Sequence, residues 1–420
     1  MRACFIAYKF YESKPRIMQF ASALARQGHT VDVLALRREG QANHELVDGV
    51  NVYRVQTRVI DEQSRFSYLW RMVRFVCVSA VVLTRKHLSK PYHVVQIETV
   101  PEFLVFAAVV PKLLGTPIVL DFYDLLPEFY ASKFNSGTGS VVYWMLKGLE
   151  RLCVAFSDHV LAANDLWYER LVSRSCVPAR CTTVCYYPDL RIFSPLCHSK
   201  RDDRFIILYA GTLNWHQGLD VAIRAFMEVA RRVPRCDFHI YGEGPSKPLL
   251  ITLALQLGLQ ERVIFHPMLP ASEIAEVMGN SDLALVPKKS SSQFGNEASS
   301  TKILDFLALG VPVIAAKTRV EAHYFDDSTI QFFESGNESD LAESIFFLIK
   351  NSRRREELRL NGAKYIQGNN WDNKKHAYLD LINSLVAKHK RQIDDASDPR
   401  TTVDNVRKDA SERIDNSFRG

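Results

Sequence analysis

Along the first 190 residues, short apolar runs alternate with longer stretches in which apolar residues return every three or four positions. The runs are ACFIAY, VDVLAL, VNVYRV, HVVQIE, PIVLDF and HVLAAN, each the length of a buried strand. Between them, PRIMQFASALARQGH places Ile17, Phe20, Ala21 and Leu24 at helical spacing, with Gly28 where the helix ends. PEFLVFAAVVPKLLG, VVYWMLKGLERLCVAFSD and DLWYERLVSR read as further helices. Strands alternating with helices of this length predict a parallel, doubly wound α/β sheet.

The alternation stops over YYPDLRIFSPLCHSKRDDR, which has two prolines, many charges and little periodicity. It restarts with the strand FIILYAG, the helix GLDVAIRAFMEVARRV, and the strands CDFHIYG, RVIFH, LALVP and PVIAA. Two consecutive Rossmann-like domains explain this better than a single sheet of a dozen strands. The expected organisation is an N-terminal domain over 1–190, a linker over 191–203 and a C-terminal domain over 204–370. A final helix over 371–390 is expected to pack back on the first domain. Residues 391–420 are mixed in charge and poor in apolar residues, which predicts a disordered or loosely helical tail.

Composition adds bounds. A chain of 420 residues, 47% hydrophobic and 24% charged, has the size and makeup of a two-domain globular protein. A net charge of +6 is modest and gives no reason to expect a nucleic-acid partner. No secretory signal is read at the start, and eight cysteines without one suggest reduced thiols and a cytoplasmic location. Cys176, Cys181, Cys185 and Cys197 lack the paired spacing of a zinc site. The stretch LWRMVRFVCVSAVVLTRKHLSK is too short in its uncharged part to span a bilayer. It reads first as an ordinary domain helix with a basic end. The alternative is a helix resting on an anionic membrane, with Arg71, Arg74, Arg85, Lys86 and Lys90 at headgroup level.

Candidate chemistry collects in loops that follow strands, where doubly wound sheets bind ligands. In YAGTLNWHQGLD, Gly211 and Gly218 permit close backbone approach before a helix start that offers free N–H groups to an anion. Gly242 and Gly244 in IYGEGPS form half of a dinucleotide fingerprint, a weak signal alone. In FGNEASSTKILDFLALGVPVIAA, Ser299, Ser300 and Thr301 are candidate N-caps of a helix ended by Gly310. Asp305 sits among apolar neighbours, where a bare carboxylate is costly unless paired. Amides at this helix start could hold a diphosphate, with Lys302 adding a point charge. Asp305 and Glu297 could each accept hydrogen bonds from sugar hydroxyls, so both are expected to face a cleft between the domains.

Glu297 and Asp305 stand at the spacing of the E-x7-E signature of glycosyltransferase family 4, the retaining enzymes of GT-B fold, with Asp305 in place of the second glutamate. STKILDFLALGVPVIAA resembles that family's segment almost position for position. LARQGHTVDVLAL, VLDFYDLLPEFY, FSDHVLAANDLWYERL, GTLNWHQGLDVAIRAF and YGEGPSKPLL resemble its other blocks, in the same order. The resemblance implies sugar transfer from a nucleotide-sugar donor to a glycan or lipid-linked acceptor, in cell-surface polysaccharide biosynthesis, with no cofactor and no metal. Asp121 and Asp124 are not the Asp-x-Asp of a metal-dependent transferase. By the family's roles, Asp305 would hold the ribose and Glu297 a donor-sugar hydroxyl. Gly211, Thr212, Gly242, Gly244, Ser300, Thr301 and Lys302 would surround the nucleotide.

The chain departs from the family in three places. The loop after the first strand of the second domain carries Thr212, Asn214, Trp215, His216 and Gln217 where relatives have an arginine and a lysine for the diphosphate. Lys302, Lys288, Lys289 and Arg16 are the cations that could replace them. Tyr123 stands where many relatives have a histidine near the reacting carbon. AYKFYESKPRI lacks a Gly-Gly pair and offers Arg16 as a phosphate or acceptor contact, or as an ordinary surface arginine. These changes keep two alternatives in view: a UDP-sugar 2-epimerase of the same fold, and a non-catalytic nucleotide-sugar-binding relative.

Overall fold

A computed structural model describes residues 1–13, 15–58, 65–134, 139–195 and 204–397, with 65–68 and 392–397 given as helical backbone only. The N-terminal strands are β1 (Arg2–Phe10), β2 (Thr30–Arg37), β3 (His44–Val47), β4 (Val50–Thr57), β5 (Val94–Glu98), β6 (Ile118–Phe122), β7 (His159–Ala162) and β8 (Cys181–Thr183). They form one sheet in the order β3-β4-β2-β1-β5-β6-β7-β8, parallel except for β3 against β4. The second sheet holds β9 (Phe205–Ala210), β10 (Cys236–Tyr241), β11 (Val263–His266), β12 (Leu283–Val286), β13 (Val313–Ala316) and β14 (Gln331–Phe333). Its order is β11-β10-β9-β12-β13-β14, all parallel. The polypeptide therefore reverses direction across the sheet at β1/β5 in one domain and at β9/β12 in the other. Crevices for ligands open at these switch points, beyond the carboxyl ends of the strands.

The unbroken apolar runs have a direct cause. β5, β6, β7, β12 and β13 are buried along their whole lengths, because helices cover both faces of each sheet. On one side of the first sheet lie the helices Pro15–Arg26 and Trp371–Ser397. On the other lie Arg65–Ser89, Val141–Phe156 and Asp165–Arg174. The long C-terminal helix leaves the second domain and packs on the first. Tyr378 stacks on Phe20 with centroids 4.0 Å apart, and its hydroxyl donates to Gln96 Oε1 at 2.7 Å. That helix runs through residue 397, into the segment expected to be tail; 398–420 lie outside the described residues, as do linker residues 196–203.

Two local differences from the sequence reading stand out. The stretch read as one helix from Pro101 is a 3₁₀ turn, Glu102–Ala108, followed by a short α-helix, Val109–Leu113. Pro111 falls within that last turn and supplies no N–H, so a longer α-helix through it would lose a bond. Phe294 and Ala298 of the C-terminal domain are buried in the core of the N-terminal one. The domains are thus joined by side-chain insertion as well as by the linker. The seven described cysteines are all free thiols.

Candidate active site

A cleft of about 480 Å³ lies between the two domains, at the β9/β12 switch point. Its C-terminal wall is built from the loop after β9 and the start of the helix Thr301–Ala308. Gly211, Thr212, His216, Gly242, Ser300, Thr301, Lys302 and Asp305 all line it, and Tyr123 and Arg16 approach from the other domain. Gly211 and Gly242 both hold φ +149°, a region open chiefly to glycine. A Cβ on Gly211 would lie 2.2 Å from Lys302 Cε, and one on Gly242 would lie 1.8 Å from the Gly211 carbonyl oxygen. The glycines therefore let two loop backbones touch and let the Lys302 stem lie across one of them. Gly244 is not on the wall; it is pressed against the Leu213 backbone.

The cations sort by partner. Lys288 is buried against Glu321 at 3.5 Å and donates to the Ala298 carbonyl. Lys289 pairs with Asp220 at 2.7 Å. Arg16 is 3% exposed and forks onto Asp121, with its Nη2 2.7 Å from Oδ1. It is therefore not the ordinary surface arginine of the second alternative: it lines the cleft while paired across 105 residues of chain. Lys302 differs: its ammonium donates to the neutral Gln217 Oε1 at 3.1 Å, and it forms no ion pair among the described residues. Burial and the nearby Lys288 lower its pKa to about 8.

His216 is buried, and burial with the charges of Lys302 and Lys288 lowers its pKa to about 3, so the imidazole is neutral. Among the described residues its Nδ1 has no hydrogen-bond partner, and neither does Ser300 Oγ; both residues line the cleft. Ser300 occupies the N-cap position without capping through its hydroxyl. Its amide instead donates to Glu321 Oε1 at 3.1 Å. The hydroxyl expected as a cap is left buried and without a partner among the described residues. The first amides of this helix also lack intrahelical acceptors and carry the positive end of its dipole.

Asp305 is half-buried one turn further on, where Tyr186 donates to its Oδ1 at 2.7 Å. Burial raises its pKa to about 7, against the lowering effects of the Tyr186 hydrogen bond and Lys302. The apolar neighbours that made Asp305 conspicuous pack away from the cleft; Ile303 and Phe306 are fully buried. Tyr186 was not singled out in the sequence, where it is one of two adjacent tyrosines before the linker. Tyr123 lines the opposite wall, and burial raises its phenol pKa.

Glu297 overturns the expectation of two acids facing one cleft. It ends a separate short helix, Gln293–Glu297, and is 4% exposed. Arg170 of the N-terminal domain donates to it through Nε at 2.9 Å and Nη2 at 2.6 Å. Arg319 approaches at 3.1 Å. Glu297 is absent from the cleft lining. The break at Ala298–Ser300 removes the fixed angular relation that one continuous helix would give the two acids. Phe294, wedged against Phe129 with centroids 5.2 Å apart, fixes the short helix so that its last side chain points at the two guanidinium groups. Arg170, Arg319 and the Glu169 that pairs with Arg319 carry no local sequence signal; Arg319 reaches the other two only through the domain interface. Among the described residues, no group of three or more His, Cys, Asp or Glu side chains is arranged to hold a metal ion.

Two family models match this chain: "Glycosyl transferase 4-like domain" over residues 13–187 and "Glycosyl transferases group 1" over 197–365. Among curated proteins, it is 23% identical over 265 residues to the alpha-D-kanosaminyltransferase of Streptomyces kanamyceticus. That match covers 60% of this chain and 66% of the relative, just under two thirds of its length. The fold is similar to a sucrose-phosphate synthase from Thermosynechococcus elongatus (TM-score 0.77, 15% identity, 92% of this chain and 100% of the other). It is also similar to Anabaena HepE in complex with UDP-glucose (TM-score 0.66, 14% identity, 93% and 100%). With its two facing α/β domains and both halves matched in order, the chain belongs to the GT4-type glycosyltransferases of GT-B fold.

Proposed function

We propose that the protein transfers a sugar from a nucleotide diphosphate sugar to a glycan or lipid-linked acceptor, with retention of configuration and without a metal ion. The observation that carries this reading is Lys302. It is a cleft-lining cation that forms no ion pair among the described residues, set in the first turn of a helix whose next turn presents Asp305. A diphosphate there would meet the ammonium, the free helix amides, Ser300 Oγ and the neutral His216. Asp305 would accept hydrogen bonds from the ribose diol. UDP-glucose in the structurally similar HepE supports a UDP-sugar as donor.

In the proposed reaction the acceptor oxygen bonds to the anomeric carbon as the bond to the phosphate oxygen breaks. The acceptor proton passes to that departing oxygen on the same face. Lys302 and the helix amides stabilise the charge that builds there, the role a metal ion would otherwise fill. Tyr123, with its phenol held protonated, would donate a hydrogen bond to the donor sugar. Placement at the cytoplasmic face of a membrane, in cell-surface polysaccharide synthesis, follows from a lipid-linked acceptor. The helix Arg65–Ser89 supports that placement, since it contains no acidic residue.

Thermal-shift titration with UDP-, GDP- and ADP-sugars tests donor binding, since a ligand of the folded state must raise the melting temperature. Asp305→Ala is expected to weaken the stabilising donor by about 1–3 kcal/mol through lost hydrogen bonds. Full donor affinity in that variant would remove Asp305 from the ribose site.

The same site predicts a bell-shaped pH dependence of UDP-glucose affinity. Asp305 gains its acceptor charge as pH rises through about 7, which strengthens binding. Lys302 loses its charge as pH rises through about 8, which weakens it. Isothermal titration should place the maximum between these values, with Asp305→Asn flattening the acid limb and Lys302→Arg the alkaline limb. A flat profile in the wild type counts against both assignments.

A further inference from the structure

The helix Val141–Phe156 turns an apolar face outward. Tyr143, Glu150, Cys153 and Val154 are its buried residues. On the opposite side Val141, Trp144, Met145 and Leu152 follow one another at helical spacing and are 74, 57, 67 and 58% exposed. The charges beside this stripe are basic. Lys147 lies 4.3 Å from the Trp144 ring centroid, and Arg151 is exposed. The helix's single acid, Glu150, is turned inward to Arg174. Mobile solvent is a poor partner for such a stripe, and contiguous apolar surface ringed by one sign of charge marks a contact site.

The surface continues. The turn Glu102–Ala108 joins this helix to Arg65–Ser89, with Phe106 edge-on to Phe156 at 5.3 Å. Both helices bury their inner sides in the same core, so their outer sides face the same way. Arg65–Ser89 presents Trp70 (69% exposed), Val81 and Leu88, interleaved with Arg74 and Arg85. Leu113, 80% exposed, lies on the short helix that follows the turn. No helix among the described residues is long and apolar enough to cross a membrane.

We propose that the outer faces of Val141–Phe156 and Arg65–Ser89 form one docking surface for an anionic lipid bilayer, with Trp144 and Met145 entering the headgroup boundary. This deepens the lipid-linked reading of the acceptor and rests on it. Charge decides the occupant: exposed apolar side chains with basic neighbours and no outward acid match an interface carrying anionic headgroups. Tryptophan suits the boundary because its ring is apolar and its N–H remains near water.

The test is co-sedimentation of the full chain with phosphatidylcholine vesicles, with and without about one third phosphatidylglycerol. Binding is expected on the anionic vesicles only, and weaker in high salt. Trp144→Glu/Met145→Glu should reduce the bound fraction at least about tenfold. Lys147→Gln/Arg151→Gln should reduce the preference for anionic lipid. UDP-glucose titration of each variant, expected to match wild type, shows that the fold is intact. It also separates the two readings, since a wild type that binds vesicles but no nucleotide sugar fails the donor assignment alone. Wild-type protein left in the supernatant, or a glutamate variant that sediments like wild type, overturns the proposal. So does a dimer broken by the glutamate variant in the absence of vesicle binding, which would make the face a self-association site.

Discussion

Lys302→Met is expected to lower kcat about 10²–10³-fold, the cost of removing one charged donor to a leaving group. The substitution keeps the stem that lies across Gly211 and removes only the charge. No neighbour can take its place cheaply. Lys288 is tied to Glu321 and Arg16 to Asp121 in buried pairs, and freeing either strands a carboxylate, while Lys289 is held by the more exposed Asp220. His216 stays neutral at ordinary pH. Stability should move the other way. Burial disfavours the charged ammonium, as its lowered pKa of about 8 records, so methionine should hold or raise the melting temperature.

Gln217 supplies a second arm. Its Oε1 is 3.1 Å from the ammonium, so Gln217→Lys in the Lys302→Met background would return a cation to nearly the same place. Partial recovery of kcat, measured by radiolabelled sugar transfer, is expected. Turnover of Lys302→Met within about threefold of wild type would show that the leaving group draws its charge stabilisation from elsewhere.

Glu297→Ala is expected to act on the joint between the domains. Among the described residues it leaves Arg170 with the distant carboxylate of Glu128 at 4.0 Å, and Arg319 with Glu169 at 3.4 Å. Breaking a buried ion pair costs about 3–5 kcal/mol; the side-chain exposures of Arg170 and Arg319, 20% and 54%, bring the expectation down to about 2–3. Calorimetry should show a melting temperature lowered by roughly 5 °C. Small-angle scattering should show a larger radius of gyration as the lobes part. UDP-glucose affinity should stay within about threefold of wild type, because Lys302 and Asp305 belong to one domain. Glu297→Gln should fall between, retaining hydrogen bonds without the charge. An acid that gripped the donor sugar would behave in reverse, with turnover lost and both melting and scattering unchanged. That result would restore the cleft-facing role expected from the E-x7-E spacing.

The strands were legible because helices cover both faces of each sheet, so runs such as VVQIE and LALV need no polar side. The strands β3, β8 and β14 were not: β3 is mostly exposed and has no apolar run, and β8 and β14 have three residues each, too few to carry a period. Asp305 was conspicuous by its apolar neighbours, and Lys302 by its place at a helix start.

Two doubly wound domains in series and the loops that border the cleft could be read from the amino-acid order alone, because they follow from local periodicity and from backbone positions that favour glycine, while the family was legible only through the resemblance of the Glu297–Ala316 segment. The partners of the buried charges were set by packing between distant elements. Arg16 finds Asp121 across 105 residues, Lys288 finds Glu321 across 33 and Arg170 finds Glu297 across 127. A buried charge takes whichever opposite charge the packing of distant elements brings within reach, and no local pattern encodes that choice. Lys302 meets the neutral Gln217 because that is what the packing of two separate loops brings within reach of its ammonium.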